Sequence, residues 1–131
     1  MKKKISYLMV LMVLMALILG TNVYAAWIPF NDTTPTLGGK EVATGTRSTN
    51  PTLNYAVLQT FDCEEAFRGR VQGRVSSGWS ACANDRIAYA NKTYNINYIL
   101  VPIARTSMRL MVYNEIGTFG GQKIEGRVEF N

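Results

Sequence analysis

The sequence predicts a small all-β domain, an antiparallel β-sandwich with a flattened barrel as the alternative, preceded by an apolar N-terminal segment. Three observations carry this. Apolar and polar residues alternate at period two in successive short stretches, turn residues interrupt the chain every roughly eight to twelve residues, and nothing after the first segment sustains helical spacing.

The chain opens on Met1-Lys-Lys-Lys and an uncharged run from Ile5 to Leu19, closed by Gly20 and Thr21. Val23-Tyr24-Ala25 then offers a small residue at the cleavage point and an aliphatic one two positions earlier, as a signal peptidase accepts, with cutting before Ala26. Residues 1–25 therefore read as a cleavable signal peptide, helical while it is threaded, and the expected location is secreted or extracellular. The run is shorter than the roughly 20 residues a membrane-spanning helix needs. The mature chain, 26–131, has room for one hydrophobic core and is read as a single β domain.

Its first part, 26–51, is loop-rich: Asn31-Asp-Thr-Thr-Pro, Gly38-Gly39 and Thr44-Gly-Thr-Arg-Ser-Thr-Asn-Pro are turn chemistry, with at most short edge strands. Alternation then takes over, with Leu53, Tyr55, Val57 and Phe61 on one face and Asn54, Ala56 and Thr60 on the other. From Arg68 to Ser76, Arg68, Arg70, Gln72 and Arg74 share a wet face while Gly69, Val71, Gly73 and Val75 face inward. The inward glycines are expected to make room for Trp79, Tyr89, Tyr94 or Tyr98. Short strands are predicted over Arg86–Ala90 and from Tyr94 through Leu100 to Pro102. Met108, Leu110 and Val112 line one face of the next strand, with Arg109, Met111 and Tyr113 opposite. A glycine-rich turn at Gly117, Gly120 and Gly121 suggests a hairpin into the last strand, where Ile124, Gly126, Val128 and Phe130 face inward. Val71-Gln-Gly-Arg-Val75 and Ile124-Glu-Gly-Arg-Val128 share a pattern, read as two strands meeting the same one-sided burial.

Composition narrows function more by exclusion than by assignment. Three of the 14 basic residues lie in the leader, which leaves eleven against nine acidic ones, too small a surplus to imply nucleic acid. Histidine is absent, and with it the commonest general base and a favoured zinc ligand, so no enzyme, cofactor or metal site is predicted. Asp62, Glu64 and Glu65 flank a cysteine without the ligand spacing of a calcium loop and read as a solvated turn. Cys63 and Cys82, the two cysteines of an exported chain, are expected to form a structural disulfide.

The signal, the stretch Thr44 to Thr52 with Arg47-Ser-Thr-Asn-Pro, Arg74-Val-Ser76, Met108-Arg-Leu110 followed by Asn114, and the closing Gly126-Arg-Val together resemble a family of small exported Gram-positive bacterial proteins of unknown function. That resemblance implies location and β class but no site. In size and class the chain is also similar to the lactococcin 972-type bacteriocins, which act on cell-wall precursor, although those carry histidine. The expected function is thus a secreted, non-catalytic binding or interaction protein, with the cell envelope as one expected setting; the alternative is a bacteriocin-like or toxin-type factor. Its candidate contact surface is the row Arg68, Arg70 and Arg74, suited to anionic cell-wall polymer, anionic lipid headgroups or a partner protein unless acids such as Glu125 and Glu129 neutralise it.

Overall fold

The computed structural model describes residues 26–48, 53–115 and 120–131, so the expected signal peptide lies outside the described residues. Among the described residues nine strands follow one another: β1 (Ile28–Thr33), β2 (Gly39–Thr46), β3 (Tyr55–Cys63), β4 (Phe67–Val75), β5 (Gly78–Ala81), β6 (Arg86–Ala88), β7 (Lys92–Asn97), β8 (Ser107–Asn114) and β9 (Lys123–Phe130). They form two antiparallel sheets, in the order β1-β9-β3-β7 and β2-β8-β4-β5, with β6 beside β5 along the same edge of β4. The two sheets enclose one core, and the all-β prediction holds, with open sheets rather than a closed barrel.

Period two explains the core. In β9, Ile124, Val128 and Phe130 turn inward; in β8, Met108, Leu110 and Val112 meet them from the other sheet, as the alternation predicts. Phe67 and Val71 of β4 and Ala56 and Leu58 of β3 complete the layer. In β3 the buried set is therefore Ala56, Leu58 and Thr60, while Tyr55, Val57 and Phe61 lie on the outer face. Arg127 stacks over both Trp27 and Phe61 there, at 4.2 and 5.7 Å, so a cation covers part of the outward apolar surface.

Several expectations are corrected. The stretch 26–51 supplies two full strands, β1 and β2, each forming one edge of its sheet, so the edge placement holds and only the expected shortness does not. β8 and β9 are not a hairpin: β8 pairs with β2 and β4, β9 with β1 and β3, so the chain changes sheets between them. The inward glycines of β4 do not accommodate aromatic rings. A Cβ on Gly69 would meet Leu110 and Leu58 at 3.5 Å, and one on Gly73 would meet Cys82 Sγ at 2.9 Å.

The Cys63–Cys82 disulfide is not formed; both thiols are free. Cys63 ends β3, opposite Ile124 in the first sheet. Cys82 directly follows β5 at the second sheet, where its N–H donates to Val71 O and its sulfur packs on Gly73, beyond the middle of β4. Phe67, at the near end of β4, is separated from Val71 by roughly 13 Å at about 3.3 Å per residue, and sheets stack about 10 Å apart. A disulfide requires Cα atoms within about 7 Å. Burial pushes both thiols up from their ordinary range.

At one end of the sandwich, Arg47 acts as a buried tie. Its guanidinium donates to Asn131 O (2.8 Å), Leu53 O (3.2 Å) and Asn54 Oδ1 (3.3 Å) and lies over the Tyr98 ring at 5.2 Å. Its backbone N–H donates to Thr106 O, and its carbonyl accepts from Arg105 N–H. One residue thereby fixes the C-terminal strand and the two loops on either side of it.

Candidate binding surface

The predicted arginines stand on the outer face of the second sheet because β4 alternates strictly from Phe67 to Gly73. Register places Arg68 beside Tyr113, Arg70 beside Met111 and Gln72 beside Arg109 on β8, and Arg74 beside Trp79 on β5. The row is not uniform. Arg70 makes a two-pronged pair with Asp85, Nε to Oδ1 at 2.7 Å and Nη2 to Oδ2 at 2.8 Å, and Arg68 reaches the same carboxylate at 3.8 Å. The Arg70 hydrogen bonds hold the Asp85 carboxyl below its ordinary range against the opposing effect of burial. Both guanidiniums also stack on Tyr113, at 5.6 and 4.9 Å.

Arg74 differs from its neighbours. It stacks on Trp79 at 5.6 Å, is exposed, and forms no ion pair with a described residue. Trp79 is shared with Arg109, 4.4 Å away, whose guanidinium is in turn held by Gln72 (2.7 Å) and Glu41 (3.1 Å). Among the described residues, four guanidiniums on this face thus meet two carboxylates, Asp85 and Glu41, and Arg74 is the one without an ion pair. Glu125 and Glu129, expected as neutralising partners, are on the other sheet. Asp85 takes that role, from the loop between β5 and β6, where strand periodicity gives no signal.

Beyond Arg74 the sheet ends in a cleft of ≈ 440 Å³. Its walls are Gly73, Val75, Ala81 and Cys82 on one side and Leu100, Val101, Pro102 and Ile103 on the other, with Thr106 and two serines; among the described residues Arg74 is the one ionisable group there besides the Cys82 thiol. Sequence reasoning misses the loop that forms the second wall, because it reads there as the end of a strand. The strand in fact stops at Asn97, and the chain turns over Cys82, whose carbonyl accepts from both Ile99 N–H (2.7 Å) and Leu100 N–H (3.1 Å). Its far end is fixed by Arg105, in left-handed conformation at φ 63°, donating to Arg47 O. Between these anchors the apolar side chains face solvent: Ile99 is 62% exposed, Leu100 65%, Val101 52% and Ile103 80%. The unbroken apolar run from Ile99 to Ile103, where alternation lapses, is the signal that could have identified it.

Asp62, Glu64 and Glu65 are at the other end of β3, where Glu65 accepts from Gln122 Nε2 at 3.1 Å. Among the described residues no helix is long and apolar enough to cross a membrane. No protein-family model matches the chain, and no curated protein matches it. Among solved structures the chain is similar to one described as the crystal structure of PirA, at a TM-score of 0.47 and 17% identity over 79% of this chain and 93% of that one.

Proposed function

We propose that this protein is an exported, non-catalytic binding module of the cell envelope, and that it engages an anionic surface through the Arg74 end of the second sheet. The observation that carries this reading is the unpaired, exposed Arg74, held against Trp79 at the mouth of an apolar cleft that has no carboxylate in its walls. A guanidinium stacked on an indole is pre-ordered for a phosphate or carboxylate, because its side chain has already lost much of its freedom. Arg70 contributes less, since Asp85 already occupies its hydrogen-bonding fork, and Arg68 is partly neutralised by the same carboxylate at 3.8 Å.

Retention on immobilised polyglycerol phosphate tests the reading. The native protein should be retained at low ionic strength and released by moderate salt, and Arg74→Gln should elute substantially earlier. Arg70→Gln should alter retention less than Arg74→Gln does. Equal elution of the Arg74 variant and the native protein, or no retention of either, would remove this surface from the account.

A further inference from the structure

We infer that the loop Ile99–Ile103 is a membrane-docking tip, which enters the interfacial layer of a bilayer bearing anionic headgroups while Arg74 and Arg105 contact the headgroup phosphates. The inference rests on the anionic-surface reading above and names the surface as lipid.

The shape of the loop supports this occupant. In a strand, successive side chains point to opposite faces, so a rigid partner laid on one face covers only every second residue. Here Ile99, Leu100 and Val101 are consecutive and each is more than half exposed, and Ile103 is the most exposed residue of the loop. Consecutive exposed apolar side chains that do not alternate between faces suit a deformable medium that closes around them, as the headgroup–acyl boundary does. The segment is held at both ends, by Cys82 O before it and Arg47 O after it, and Pro102 stiffens its middle, so insertion needs little ordering of the chain.

Charge points the same way. Arg74 lines the cleft beside the loop and Arg105 lies just beyond it; both are exposed, and neither forms an ion pair with a described residue. The carboxylates Glu64 and Glu65 are gathered at the opposite end of the sandwich. Lys92 and Lys123 are also at that end, so it is the local charge of Arg74 and Arg105 beside the loop that favours an anionic bilayer. A second copy of the chain fits less well: a two-fold contact would bring this patch against itself, setting Arg74 and Arg105 of both copies together with no acid in the cleft walls to separate them.

The experiment uses vesicles of phosphatidylglycerol and phosphatidylcholine in equal parts against vesicles of phosphatidylcholine alone, with every variant made in the same chain so that the N-terminal segment is common to all. The native protein should partition onto the anionic vesicles more strongly than onto the neutral ones. Leu100→Ser with Ile103→Ser should lower partitioning about tenfold or more, and Arg74→Gln with Arg105→Gln should remove the preference for anionic lipid. In a Leu100→Trp variant, brominated acyl chains should quench fluorescence beyond the quenching seen in the native protein. Partitioning unchanged in the serine variant, or no added quenching from Leu100→Trp, would overturn the inference; if polyglycerol phosphate still retained the protein through Arg74, the anionic-surface reading would survive. Concentration-dependent dimerisation lost in the serine variant, without lipid partitioning, would assign the loop to self-association and equally overturn it.

Discussion

The two ends of the sandwich solve the same problem in opposite ways. Each must close the strand termini and satisfy the backbone groups that leave the sheets. At the β3–β4 end the closure is polar: Thr34 N–H donates to Gln122 O, Gly121 N–H to Thr34 O, and Gln122 Nε2 to Glu65, around a shallow cleft that includes Glu64. At the other end the polar closure is internal, carried by buried Arg47, and the apolar loop Ile99–Ile103 is left outside it. Stability is therefore expected to depend on Arg47 and not on the loop side chains. Apolar surface that a fold leaves outside its core is what the proposed docking role requires.

That contrast can be broken at several points. The largest effect is expected from Arg47→Met, which leaves the carbonyls of Asn131 and Leu53 without their donor; a loss of about 3–5 kcal/mol should appear as a lowered urea midpoint. Gly126→Ala should cost somewhat less, about 2–3 kcal/mol, because its Cβ would press on the Gln59 carbonyl and the Phe30 ring. Asp85→Asn should cost about 1 kcal/mol at neutral pH, a modest figure because Arg68 and Arg70 are part-exposed. The Asp85 carboxyl is depressed in the folded protein, so its contribution is present above the ordinary carboxylate value of about 3.9 and fades as pH falls through the lower folded value. The native and variant unfolding curves should accordingly converge in strong acid. Alkylation of the unfolded, unreduced protein should label both Cys63 and Cys82, whereas a native disulfide would block both.

Much of the fold could be read because one-sided burial imposes period two. Val71-Gln-Gly-Arg-Val75 and Ile124-Glu-Gly-Arg-Val128 illustrate this: in opposite sheets, both turn the glycine inward and the arginine outward, and each arginine stacks on a tryptophan, Arg74 on Trp79 and Arg127 on Trp27. Periodicity does not distinguish the faces when both are apolar. In β3, Tyr55, Val57 and Phe61 look as buried as Ala56 and Leu58, and only the Arg127 stack shows how the outer set is covered. Nor does it say which strand lies beside which. A glycine-rich stretch suits a hairpin and a crossing between sheets equally, so the β8–β9 connection, the partners of the arginine row and the distance between the cysteines all depend on topology. The candidate site shows the same limit. Alternation finds Arg68, Arg70 and Arg74, but Asp85 and the Ile99–Ile103 loop, which decide which arginine is free and what surrounds it, lie where alternation stops.

The smallest expected effect gives the most direct test, because it asks whether the apolar end is surplus to folding. Urea unfolding of the Leu100→Ser, Ile103→Ser double variant should give a stability within about 0.5 kcal/mol of the native protein, with an unchanged slope, as for exposed positions away from the core. A loss of about 2 kcal/mol or more would mean that these side chains are packed in the folded protein, and the loop would then be part of the core rather than a surface kept for binding.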